Sequence, residues 1–205
     1  MCWRSPVLRP LAHAKPMVAF MLNTFFTLLA CAPMSEHIKD PSAGLNGSFE
    51  VARDGLPVNW LLYTPKTLAD ADFAISLDTH IYREGKQSLK FSVEKCSPSG
   101  GWRSPGFTNE FFSVGKYSGP ARYRLSCWVK NDGAAFHISA GAVNEKSGNM
   151  QTLMEEERSI NEWKFLEWDI EIPAQRWLRL QLNVVKPGRF WIDDIRVEKL
   201  ATTPQ

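Results

Sequence analysis

From Leu45 onward no stretch of the chain sustains a helical period, and short runs of strictly alternating apolar and polar residues take its place. Leu89, Phe91 and Val93 alternate with Ser88, Lys90, Ser92 and Glu94. Tyr123, Leu125, Cys127 and Val129 alternate with Arg124, Ser126, Trp128 and Lys130. The same pattern runs through Phe136–Ala142, Leu166–Ile172 and Leu178–Val184. A period of two puts one set of side chains on a core face and the other on solvent, so each run predicts a half-buried strand. Turn-forming clusters separate them: Ser97-Pro98-Ser99-Gly100-Gly101, Asn131-Asp132-Gly133, Ser147-Gly148-Asn149 and Lys186-Pro187-Gly188. Glu155-Glu156-Glu157 reads as a solvated strand or loop. The spacings suit antiparallel hairpins and crossovers rather than βαβ units, which predicts an all-β antiparallel sandwich over residues 45–200 and a short tail at 201–205.

Residues 1–30 read differently. Arg4, Arg9 and Lys15 precede an apolar run from Met17 to Ala30 that is broken by Asn23 and Thr27. It is shorter than the roughly 20 apolar residues a membrane-spanning helix needs, and it has the layout of a secretory signal. Translation from Met17 would leave the same signal. Leu28-Leu29-Ala30-Cys31 resembles the lipobox of bacterial lipoproteins, although Leu29 stands where a smaller residue is usual. The resemblance implies a lipid on Cys31, a polar tether over residues 31–44 containing Pro41 and Gly44, and attachment to a membrane of the bacterial envelope. Ala32 after the cysteine is compatible with the outer membrane.

Charge then changes meaning. The chain carries 24 basic and 22 acidic side chains; without the three basic residues of the leader, 21 face 22, a net charge of about −1. Nucleic acid as a partner loses its electrostatic support. Of the four cysteines, Cys2 leaves with the leader, Cys31 would carry the lipid, and Cys96 and Cys127 remain. An oxidising compartment would allow them to pair, whereas Cys127 on the apolar side of a strand also reads as a small core residue.

Several segments in order resemble the galactose-binding-like jelly-roll domains that include CenC-type carbohydrate-binding modules. They are Asn46-Gly47-Ser48-Phe49-Glu50, Leu56-Pro57-Val58-Asn59-Trp60, Glu84 to Phe91, Tyr123 to Lys130 and Phe190 to Val197. The resemblance implies a jelly-roll sandwich and a structural calcium joining its first and last strands. Carried over residue by residue, the calcium donors are Glu50, the backbone of Ser48 and Lys86, and Asp193 or Asp194. Calcium takes six to eight oxygens from carboxylates and carbonyls, which suits that set. Trp60, Trp163 and Trp191 fall where the family keeps structural aromatics.

Sugar recognition needs flat aromatic faces beside polar groups. Trp168 shares parity with Leu166 and Ile170, which assigns it to the core. Trp128 points with Arg124, Ser126 and Lys130, and Trp177 with Arg179, Gln181 and Asn183. If their strands share a sheet, the result is one aromatic polar face fit for a glycan or polysaccharide. Trp102, in a glycine-rich loop, and His137, on a polar strand face, complete the expected ligand set. No nucleophile elbow, zinc signature or phosphate loop occurs. A glycan-binding envelope lipoprotein without catalysis is the leading expectation. A structural or protein-binding lipoprotein is the rival, and a polysaccharide lyase using Arg124, Lys130, His137 and Arg179, or a hydrolase using paired carboxylates, is the third reading.

Overall fold

A computed structural model describes residues 38–111, 120–144 and 148–201. The expected signal segment 1–30, Cys31 and residues 202–205 of the tail lie outside the described residues. In chain order the strands are β1 (Ala52–Arg53), β2 (Leu56–Pro57), β3 (Leu61–Tyr63), β4 (Asp72–Asp78), β5 (Ser88–Lys95) and β6 (Gly106–Phe111). They continue as β7 (Ala121–Asp132), β8 (Ala135–Val143), β9 (Gly148–Glu156), β10 (Ile160–Ile172), β11 (Trp177–Lys186) and β12 (Gly188–Leu200).

Two five-stranded sheets form, one ordered β10-β7-β12-β5-β4 and the other β3-β6-β11-β8-β9, with β1 and β2 as a separate ribbon. All pairings within the sheets are antiparallel. The chain passes repeatedly from one sheet to the other, from β5 to β6, to β7 and to β8, so neighbours in a sheet are distant in sequence. This is the expected antiparallel jelly-roll β-sandwich.

The alternating apolar residues meet between the sheets. Phe136 on β8 and Phe190 on β12 pack with ring centroids 4.5 Å apart, and neither is exposed to solvent. Trp60 packs edge-on to Phe107 at 4.9 Å and donates its indole N–H to the Asn46 carbonyl at 3.0 Å. Burying each such ring contributes on the order of 1.5–3 kcal/mol. Trp168 packs partly buried against this core, as its parity required.

One expectation needs correction. Cys96 and Cys127 are free thiols. Strand β12 lies between β5, which ends just before Cys96, and β7, which carries Cys127. Strands two places apart are separated by about 9–10 Å, beyond the roughly 7 Å that a disulfide bridges between Cα atoms. Cys127 is a small core residue, 3% exposed, and burial pushes its thiol pKa up. The described part of the expected tether, residues 38–44, is bound to the domain: Asn59 donates to the carbonyls of Asp40 and Gly44 at 2.7 and 2.8 Å and accepts from Asp40 N–H at 2.8 Å. Asp40 also caps the single turn Pro41–Ala43.

Candidate functional site

The outward face of the sheet β3-β6-β11-β8-β9 gathers polar side chains in rows set by register. One row runs Leu61, Thr108, Gln181, Ser139 and Thr152; the next runs Tyr63, Gly106, Asn183, His137 and Glu155. Arg179 and Gly141 pair in the row beyond. Four gaps between five strands make this face about 19 Å across, the span of an oligosaccharide rather than one sugar. Gly106 and Gly141 have no side chain, so the floor is low between the polar groups. Their Cβ positions would lie 2.0 and 1.9 Å from the carbonyl oxygens of Leu182 and Asn149, which excludes any larger residue.

Trp102 stands over the β3 side of this face. It is 51% exposed, and its underside packs on Tyr63 with centroids 4.8 Å apart and planes tilted by 46°. Tyr63 is itself fixed, because its hydroxyl shares a hydrogen bond with Thr108. The loop carrying Trp102 is fastened to the sheet by Asn183, which accepts from Gly101 N–H at 2.9 Å and donates to the Gly101 carbonyl at 2.9 Å. Ser104 closes the loop, donating to the Ser97 carbonyl at 2.7 Å and accepting from Gly100 N–H at 3.0 Å. Gln181 donates to Asn183 Oδ1 at 3.0 Å. The ring is therefore held open to solvent by a buried asparagine and a tilted tyrosine packed beneath it, and does not depend on a ligand for its position.

No family profile matches the sequence, and no curated protein matches it. Solved structures share the fold. The CBM22-1 xylan-binding domain from Paenibacillus barcinonensis superposes with a TM-score of 0.55 at 13% identity, over 77% of this chain and 94% of that one. The CBM22-2 xylan-binding domain of the same organism gives 0.51 at 16% identity, over 72% and 95%. The CBM22-1–GH10 modules of a Clostridium thermocellum endo-1,4-β-D-xylanase, complexed with xylohexaose, give 0.54 at 18% identity, over 75% of this chain and 28% of that one. This chain shares the jelly-roll fold of those modules.

On this jelly roll, Trp102, His137, Arg179 and Gln181 lie on one side. Trp128 does not join them. It sits on β7 in the opposite sheet from β11, so the premise of one sheet carrying Trp128 and Trp177 fails. Trp177 has the outward parity of Arg179 but is 6% exposed, too covered to present a stacking face. The four residues of the lyase reading are divided the same way, with Arg124 and Lys130 on β7 and His137 and Arg179 on the other sheet. Tyr63 and Asn183 are the additions the sequence did not single out as site residues. A three-residue strand has too few positions to reveal parity, and Asn183 shows its importance only through the loop it holds.

The expected calcium donors also converge, but as partners of amides. Glu50 Oε1 accepts from Lys86 and Gln87 N–H at 2.8 and 3.2 Å. Asp193 Oδ2 accepts from Arg83 and Glu84 N–H at 2.7 and 2.9 Å, and its Oδ1 from Asp194 N–H at 2.7 Å. Asp194 is engaged with Arg196 at 2.8 Å. Lys86 meets Glu50 through its backbone N–H, and no group of three or more His, Cys, Asp or Glu that could hold a metal forms among the described residues. In this arrangement the carboxylates of Glu50 and Asp193 are taken by backbone amides and that of Asp194 by Arg196. The opening motif and the last strand are joined by hydrogen bonds instead, both clasping the loop before β5; Ile195 N–H adds a bond to the Gly47 carbonyl at 3.0 Å. Thermal unfolding in calcium and in chelator is accordingly expected to coincide. A resident ion at a hundred times its dissociation constant would add about 2.7 kcal/mol, and a shift of that size would contradict this reading.

Proposed function

We propose that the protein binds glycan, and that the outward face of β3-β6-β11-β8-β9 receives a neutral polysaccharide of the xylan class. The observation carrying this reading is Trp102, a half-exposed ring braced from beneath by Tyr63 and opening onto a row of carboxamide, imidazole and hydroxyl groups. A flat apolar surface beside a few placed polar groups suits pyranose rings, whose faces are apolar and whose edges carry hydroxyls. The fold shared with xylan-binding modules supports the choice of polymer. On a chain lipidated at Cys31 the domain would hold polysaccharide at the bacterial envelope, binding without cleaving it.

Electrophoresis through native gels with and without dissolved xylan tests the proposal. Wild type is expected to be retarded by xylan, and Gln181→Ala and His137→Ala each to lose part of that retardation. Equal mobility of wild type in both gels would overturn the xylan assignment.

A further inference from the structure

The opposite sheet carries a groove of about 370 Å³ that takes no part in the face just described. Its volume lies within the usual range for small-ligand sites. At its base, Trp128 and Phe165 pack with centroids 5.1 Å apart, and Phe165 is 46% exposed on the edge strand β10. Arg83 lies over the Trp128 ring with its guanidinium carbon 4.3 Å from the centroid, a cation–π contact that holds the side chain in place.

Charge in this groove is mixed and unevenly paired. Arg124 is engaged with Asp169 and Glu167, and Arg196 with Asp194. Arg83, Glu84 and Glu198 also line the groove; the charges of Glu84 and Glu198 act on Arg196, and that of Glu198 on Arg124 as well. Three guanidiniums meet four carboxylates there, the fourth belonging to Glu167, so the lining is close to neutral and slightly acidic. That balance repels a polyanion. What it offers is the half-exposed Phe165 ring edged by the charged ends of Arg83, Glu84 and Glu198. A guanidinium can donate two parallel hydrogen bonds and a carboxylate can accept two, which is the complement of adjacent hydroxyls.

We propose that this groove is a second saccharide site, taking an uncharged sugar unit against the exposed Phe165 ring beside Trp128, with Arg83, Glu84 and Glu198 reading its hydroxyls. It lies on the other side of the core from Trp102, and packed sheets stand about 10 Å apart. One protein would therefore contact two separate chain segments, and the domain would cross-link polysaccharide rather than only attach to it.

The test follows the indole N–H resonances of nitrogen-15-labelled protein, assigned by single Trp→Phe variants, during titration with xylohexaose, cellohexaose and mannohexaose. At least one of these is expected to shift the Trp128 signal. Phe165→Ala should weaken that response about tenfold and leave the Trp102 response unchanged. Arg83→Ala, which removes a surface side chain without opening the core, should do the same. If none of the three sugars moves the Trp128 signal, the second site is overturned, whatever Trp102 does. A shift at Trp128 alone would keep the second site and count against the site at Trp102. A Trp128 shift that survives both variants would also overturn the proposal.

Discussion

Replacing Asp193 with alanine is expected to destabilise the domain by about 3 kcal/mol or more in chemical denaturation. The carboxylate is wholly buried and accepts three backbone N–H groups, from Arg83, Glu84 and Asp194. Each orphaned buried donor costs about 1–3 kcal/mol, and removing the acceptor orphans all three at once. Asp193→Asn should cost less, since its carbonyl can still accept from one side while its amide group faces a donor on the other. Equal stability of wild type and Asp193→Ala would show that the loop before β5 is not held by this residue.

The same side chain should give an unusual pH profile. Burial pushes Asp193 up to about 6, against the pull of its amide partners and with a smaller push from the neighbouring Asp194 charge. The folded state therefore holds this proton more tightly than the unfolded chain, so its contribution to stability is full below the ordinary carboxylate range and is lost as pH rises through about 6. Asp78 behaves oppositely. Burial raises it, but hydrogen bonds from Trp191, the His80 and Ile81 amides and Lys90 outweigh that and hold it at about 2. Its contribution is present above the ordinary value and disappears as pH falls toward 2. Stability should accordingly rise on acidification from neutral pH to about 5 and fall below about 4. Asp193→Asn should flatten the first arm and leave the second.

Trp102→Ala is expected to weaken glycan binding about thirtyfold while leaving the unfolding midpoint nearly unchanged. A braced aromatic at the centre of a binding surface commonly contributes about 2 kcal/mol or more, and 1.4 kcal/mol is a factor of ten. Half of the ring is already in water, so its loss opens no cavity in the core. Asn183→Ala should reduce binding too, by releasing the loop that Asn183 fastens at Gly101.

The strands that could be read from sequence are those whose alternation is unbroken: β5, β7, β8, β10 and β11. Strand β9 was hidden by a bulge, where the register slips between Ile138 and Ser139 of its partner and the adjacent residues Leu153 and Met154 both pack toward the core. Strand β12 breaks its own period in the same way between Asp193 and Arg196, with Asp194 at a positive φ of 48°. Parity told correctly that Trp128 and Trp177 point away from the core. Which sheet each strand joins depends on pairings remote in the chain, and parity carries no trace of those. The site at Trp102 was half legible for the same reason. Its residue types could be named, but Tyr63 beneath the ring comes from 39 positions earlier in the chain.

Calorimetric titration with xylohexaose, in protein carrying Phe165→Ala so that only the Trp102 face is offered, tests the central claim most directly. One binding event is expected, weakened about thirtyfold when Trp102→Ala is added. No heat from the first protein, or the same affinity in both, would contradict a glycan site on this face.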